Sequence, residues 1–403
     1  MNVLFLTLLG FDSLQEHTIY TDLLREFVKN GHEVYAVSPI EKRFGQKTHL
    51  IIEDHSTILR LQIGNTQKTN IIEKGISTVM IEPTYKKEIQ HYFPDVRFDL
   101  ILYSTPPITL VSAIEYVKKR DGAKTYLLLK DIFPQNALDI GIMSTTGLKG
   151  ILYRRFRNKE KKLYQISDWI GCMSQANVDY VIRHNPELEP KYVEVCPNSI
   201  EPVDKSVNAD KRENIRKQYG IPRDKKVFVY GGNLGKPQGI PFLIESLKRC
   251  GDLQDVFFLI VGNGTEYSLL EEYITSSGQE NVKLMKQLPK EDYDTMVGAC
   301  DVGLIFLDYR FTIPNFPSRM LAYMQAKIPV LAVTDPYTDI GRIVEDGGFG
   351  RSCGSNDTEA VRQCVCEMKD ADTVALGKKG FMYLQEHYDV KDAAWTILKH
   401  IKQ

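Results

Sequence analysis

Val227-Phe228-Val229-Tyr230-Gly231-Gly232-Asn233-Leu234-Gly235-Lys236-Pro237-Gln238-Gly239 begins as an apolar run and ends as a glycine-rich loop that opens a helix. A short β-branched and aromatic run bounded by glycines reads as a buried strand. Bare glycine amides and a helix N-terminus face an anion well, and Lys236 adds a cation. A structural turn needs glycines too, but two glycines, an asparagine and a lysine exceed what a simple connection requires. The loop therefore reads as phosphate-binding. Gly262-Asn263-Gly264 ends the next apolar run in the same manner. It is not a dinucleotide fingerprint, because Tyr267 stands at the third glycine position and no acidic residue is placed for a ribose.

Working outward, the same alternation of apolar runs and amphipathic helical stretches fills the chain. Strands are expected at 2–8, 33–38, 58–63, 100–103, 125–130, 169–173 and 192–196, and again at 227–230, 256–261, 282–285, 302–306 and 330–333. Helical periodicity between them implies parallel strands with crossover connections. The first helix is expected over 13–29, with Ser13 and Glu16 as a capping box. At about 150 residues per domain, 403 residues make two large domains. The fold class is α/β, with two Rossmann-like doubly wound domains facing across a cleft. We place the first domain at 1–200, a linker at 201–222, the second domain at 223–385 and a C-terminal helix at 386–403. That helix puts Ala393, Ala394, Ile397, Leu398 and Ile401 on one face, which docks on the body of the protein.

Composition narrows the function. Charged residues are 26% and the net charge is −1, split as +2 up to Ile200 and −3 beyond, so neither half supplies the basic field of a nucleic-acid binder. The N-terminus has no basic leader region, and no apolar run approaches the roughly 18 residues of a spanning helix. The expected location is cytoplasmic, or peripheral on the inner face of the plasma membrane. Seven scattered cysteines without CxxC spacing fit a reducing compartment. The absence of P-loop, HExxH and GxSxG motifs excludes a P-loop ATPase, a zinc hydrolase and a serine hydrolase. A nicotinamide dehydrogenase is disfavoured by the missing GxGxxG and its acidic partner.

Three further features carry chemistry. Arg319, in Asn315-Phe316-Pro317-Ser318-Arg319, falls in the first turn of an apolar helix that Ser318 is placed to cap. A cation there opposes the helix dipole, which suggests a bound anion, although a solvated surface arginine fits the same pattern. Asp131 directly follows a strand and is our candidate catalytic residue in the first domain, at the head of a long loop reaching Gly147. An Asx-turn before Pro134 is the alternative. Lys149 to Lys162 holds seven basic residues and one acidic, interleaved with Ile151, Leu152, Tyr153 and Phe156. It reads as a basic amphipathic helix suited to an anionic membrane surface, or as a solvated face whose other side packs on the sheet. Asp292-Tyr293-Asp294 looks like a DxD metal site, but in a first helical turn those acids diverge, so no metal is assigned.

Gly31-His32-Glu33-Val34, Lys130-Asp131-Ile132-Phe133-Pro134, Cys196-Pro197-Asn198-Ser199-Ile200, the Tyr230–Gly239 loop, Leu259 to Gly264 and Asn315 to Val333 occur in an order that resembles the retaining glycosyltransferases of family 4. The resemblance covers nearly the whole chain and is strongest to the transferases of bacterial surface-polysaccharide assembly, such as capsule or O-antigen. It implies the GT-B fold, a nucleotide-sugar donor, here a UDP-sugar, a lipid-linked saccharide acceptor, hexosyl transfer with retention, and neither cofactor nor obligatory metal. The resemblance puts Gly232, Asn233, Gly235, Lys236, Gly262, Asn263, Gln287, Leu288, Asn315, Ser318 and Arg319 at the donor. It puts Gly10, Phe11 and Gln135 at the acceptor. Lys236 and Arg319 would meet the charge growing on the departing diphosphate. Two departures stand out. The family's Glu-x7-Glu carboxylates fall on Pro314 and Ala322, and its Lys-Gly pair reads Gln238-Gly239. An epimerase on the same fold, or a nucleotide-sugar-binding protein without turnover, remains a competing reading.

Overall fold

The computed structural model describes residues 1–66 and 69–401. The chain forms two compact units, residues 1–201 with 390–403, and residues 202–389.

The first unit is built on eight strands: β1 (Asn2–Leu6), β2 (Glu33–Glu41), β3 (His49–Glu53), β4 (Ser56–Ile63), β5 (Leu100–Ser104), β6 (Lys124–Leu129), β7 (Trp169–Cys172) and β8 (Val193–Val195). They lie in the order β3-β4-β2-β1-β5-β6-β7-β8. All neighbours are parallel except β3 and β4, an antiparallel hairpin at the edge. The second unit has six strands: β9 (Lys226–Asn233), β10 (Val256–Asn263), β11 (Val282–Met285), β12 (Val302–Phe306), β13 (Val330–Thr334) and β14 (Gly350–Gly354). Their order is β11-β10-β9-β12-β13-β14, parallel throughout.

Central strands such as β1, β5, β12 and β13 are almost continuously apolar because crossover helices cover both faces of a parallel sheet. In each sheet the winding reverses once, between β1 and β5 and between β9 and β12. The carboxyl ends of those pairs are where a doubly wound sheet binds its ligand.

Two expectations are corrected, and a third is made specific. The first helix runs over Ile19–Lys29, capped by Thr18, whose side chain accepts from the Thr21 amide. Residues 13–16 instead form a turn in which the Glu16 carboxylate accepts from the amides of Asp12 and Ser13, with Leu14 buried. The stretch read as a linker, 201–222, contains the helix Ala209–Tyr219, inside the second unit. The helix Val390–Leu398 belongs to the first unit, where Val390, Ala393, Ala394, Ile397 and Leu398 join Leu23, Leu24 and Phe27 in one core. His400 then stacks on Trp169 at 4.7 Å between ring centres and reaches Glu194 at 2.7 Å. Lys402 and Gln403, the end of the expected helix, lie outside the described residues.

Candidate functional site

In the second unit the glycine loop sits at the sheet's reversal. Asn233 and Asn263 are register partners at the ends of β9 and β10, and Gly232 faces Gly262. Gly232 has φ +123°, a left-handed conformation open to glycine, and a Cβ on Gly262 would collide with the Gly232 carbonyl. The loop is braced from within. The Tyr230 hydroxyl donates to the Asn233 carbonyl at 2.7 Å, the Asn233 amide to Gln238 at 2.9 Å, and the Asp308 amide to the Pro237 carbonyl at 3.0 Å. Gly235 precedes a single turn, Lys236–Gln238, and Lys236 is exposed.

Arg319 begins the helix Arg319–Gln325 behind this loop. Its guanidinium lies 4.4 Å above the Tyr230 ring centre. Its Nη2 lies 3.4 Å from where a side chain on Gly232 would start. The Nη1 nitrogen is buried without a hydrogen-bond partner, and among the described residues no carboxylate stands within ion-pair distance. A desolvated cation at a helix N-terminus is unfavourable twice over, and an anion at Gly231-Gly232 would relieve both terms.

Three tyrosines to which the sequence analysis gave no side-chain role build this pocket. Tyr230 lies under the guanidinium, Tyr293 fills the space a side chain on Gly231 would need, and the Tyr323 hydroxyl donates to the Leu304 carbonyl at 3.1 Å. Burial holds the Tyr293 phenol well above its ordinary range. The DxD stretch thus contributes its tyrosine, while Asp294 pairs with Lys205 and Lys290. Tyr230 was the one legible member, since it opens the glycine loop itself.

The remaining donor candidates lie on the same edge. The Asn263 amide reaches Gln287 at 3.4 Å, and Leu288 follows, half-buried. The Asn315 carbonyl accepts from the Thr338 hydroxyl at 2.6 Å, while its side-chain nitrogen is buried without a partner. Ser318 occupies the cap position, yet its side chain makes no capping hydrogen bond, contrary to expectation.

In the first unit Asp131 stands just past β6. Both carboxylate oxygens accept from the Asn136 amide, at 2.8 and 2.9 Å, and the Thr105 hydroxyl donates to its carbonyl at 3.1 Å. Burial pushes this carboxyl up to about 6, against the lowering effect of the Asn136 hydrogen bonds. That is the range of a general base at neutral pH. Asn136 was not anticipated: it meets Asp131 only because the short helix Gln135–Asp139 folds back over it. Gln135 is engaged by Asp139 and by the Tyr153 hydroxyl, each contact within 2.8 Å. Gly10 is exposed after β1, whereas Phe11, expected at the acceptor, is a core residue whose amide and carbonyl are both bonded to the Ser38 hydroxyl, so it presents neither ring nor main chain.

The basic stretch forms the helix Gly147–Ile166. Its second half is docked: Arg157, Lys159, Lys161 and Lys162 pair with Glu160, Glu82, Glu187 and Glu115. Its first half differs. Leu148 is 86% exposed and Ile151 57%, and Lys149, Arg154 and Arg155 form no ion pair among the described residues.

Residues 211–368 match the family described as glycosyl transferases group 1. The second unit carries a glycosyltransferase group 1 domain. The glycine loop, Arg319 and all the donor candidates fall within its span. The chain is 25% identical over 294 residues to the "Probable glycosyltransferase WbjE" of Pseudomonas aeruginosa, covering 72% of this chain and 71% of that one. It is 24% identical over 261 residues to the "Putative colanic acid biosynthesis glycosyl transferase WcaI" of Escherichia coli (strain K12), covering 61% of this chain and 60% of that one. Among solved structures, sucrose-phosphate synthase from Thermosynechococcus elongatus superposes with a TM-score of 0.76 at 15% identity, covering 100% of this chain and 99% of the other. Anabaena HepE in complex with UDP-glucose gives 0.70 at 16% identity, over 100% and 99%. The group 1 domain therefore sits in a two-domain α/β chain of the GT-B fold. No helix among the described residues is long and apolar enough to cross a membrane.

Proposed function

We propose that the protein is a retaining glycosyltransferase of cell-surface polysaccharide biosynthesis, moving a hexosyl unit from a UDP-sugar to a lipid-linked saccharide at the inner face of the plasma membrane. The observation that carries this reading is the buried guanidinium of Arg319, its Nη1 unpartnered beside Gly232. A diphosphate is the anion that a glycine loop at a sheet reversal is shaped to receive. The UDP-glucose bound to HepE, a protein of the same fold, supports the choice of donor class.

In this reading the bond from the sugar's anomeric carbon to the diphosphate oxygen breaks while the acceptor oxygen forms its bond on the same face. Arg319, Lys236 and the amides around Gly232 stabilise the charge gathering on the leaving diphosphate, without an obligatory metal. Asp131 orients the acceptor hydroxyl and assists removal of its proton, which ends on the departing phosphate or on Asp131 itself. The exposed first half of the helix Gly147–Ile166 rests on anionic headgroups and brings the protein to its acceptor.

The test incubates UDP-, GDP-, ADP- and TDP-sugars with a detergent-solubilised polyprenyl-diphosphate monosaccharide and follows anomeric signals by NMR together with diphosphate release. Acceptor-dependent release with retained configuration is expected. A new nucleotide-sugar epimer without release would make the protein an isomerase. In parallel, an Arg319→Ala, Lys236→Ala double variant is expected to bind UDP at least ten-fold more weakly, and wild-type affinity would remove the assigned donor site.

A further inference from the structure

Beyond β1 the chain runs exposed through Leu9 and Gly10, buries Phe11 and emerges again at Asp12. What holds this loop is a side chain two strands away. Arg60, on β4, is the register partner of Ser38 on β2 and is only 5% exposed. Its Nη1 donates to the Ser38 hydroxyl at 2.7 Å and to the Pro39 carbonyl at 2.9 Å. The Ser38 hydroxyl also accepts from the Phe11 amide at 2.8 Å and donates to the Phe11 carbonyl at 2.9 Å. One hydroxyl thus uses its single proton and both lone pairs to join Arg60 to the loop. The guanidinium also forms an ion pair with Asp12, its Nε 2.7 Å from the carboxylate but not aligned for a hydrogen bond. A side chain on Gly10 would start 3.0 Å from the Pro39 carbonyl and 3.4 Å from Arg60, so the loop is packed directly onto this strap.

Nothing in folding the sheet requires a cation at this position. An apolar residue would fill the space between β4 and β2 without the desolvation cost of a guanidinium. The arginine is explained if the exact course of residues 9–12 matters, because it fixes main chain that no regular ladder holds. The loop leaves the sheet at the β1/β5 reversal, where a doubly wound unit binds its ligand.

We infer that Arg60, acting through Ser38 and Asp12, is a positioning residue that sets the Leu9–Asp12 loop to receive the saccharide acceptor. The inference rests on the transferase reading above. It assigns no contact between Arg60 and substrate: the guanidinium acts through the main chain it holds.

The experiment compares wild-type protein with Arg60→Met, Arg60→Lys and the surface variant Asp12→Asn. It uses the UDP-sugar that turns over and a polyprenyl-diphosphate monosaccharide in detergent. Hydrogen exchange of the amides at 9–12 is followed in the free protein. Arg60→Met is expected to raise acceptor KM ten-fold or more and to speed exchange at 9–12, with donor KM and exchange at 230–239 unchanged. Arg60→Lys should recover part of both effects, and Asp12→Asn should show a smaller loss in a fold that is not in question. Faster exchange with unchanged acceptor KM would overturn the acceptor role. Unchanged exchange would overturn the positioning role. No turnover by wild-type protein would remove the transferase reading and the acceptor role with it, while exchange would still decide whether Arg60 holds the loop.

Discussion

Lys130 and Asp131 are adjacent in sequence at the end of β6, and burial moves them toward each other on the pH scale. The Asp131 carboxyl is raised to about 6 and the Lys130 amine lowered to about 8. If Asp131 must be ionised to assist the acceptor proton, kcat/KM falls as pH drops through about 6. Asp131→Asn should abolish that limb and lower the rate about 10²- to 10⁴-fold, and an unchanged acid limb in a pH profile would remove the base role. Lys130 gives the opposite kind of prediction. The folded state holds its amine less protonated than the unfolded chain between about 8 and 10.5, so stability rises with pH across that window and the full penalty applies below it. Lys130→Met should raise the thermal midpoint at pH 7, with the gain shrinking toward pH 10; a constant gain would point to packing alone. Asp131 was legible in the sequence because a residue just past a parallel strand is presented at the sheet's edge. Asn136, Tyr293 and Tyr323 were not, since their places depend on how separate helices are laid against the loops.

Strands buried on both sides announced themselves, and two of the four edge strands did not. β12 was bounded as found, because a continuous apolar run fits a covered parallel strand. The edge strands β3 and β14 went unread: His49–Glu53 is mostly exposed, and Gly350–Gly354 carries almost no apolar side chain. The helix Gly147–Ile166 was legible as basic and amphipathic, but its division into a docked half and a bare half depends on acidic partners drawn from three other segments. Replacing Lys149, Arg154 and Arg155 by Glu should abolish sedimentation with phosphatidylglycerol vesicles while leaving the thermal midpoint within a degree or so, since exposed unpaired charges contribute little to stability. Wild-type binding should weaken as salt rises. Vesicle binding retained by the triple variant would place the membrane contact elsewhere.

At the scale of the whole molecule, two α/β units followed from the alternation of strands and helices. The assignment of the last helix to the first unit did not, because an amphipathic face states that it will be covered and not by what. Ile397 is fully buried among residues of the helix Ile19–Lys29 and the sheet beneath it. Ile397→Ala should therefore cost about 2–5 kcal/mol, seen as a lowered unfolding midpoint of the first unit with the second unit's transition in place. Loss confined to the second unit would contradict the packing.

That same closure imposes an order on synthesis. A ribosome delivers residues 1–201 first, yet the apolar side of the Ile19–Lys29 helix waits uncovered until residues 390–401 emerge, after the entire second unit. The unit made last in the tunnel's sense is the one able to finish first, and the nascent first unit depends in the interval on whatever shields exposed apolar surface in the cell. A frameshift just before residue 390 would thus harm the unit built from residues 1–201.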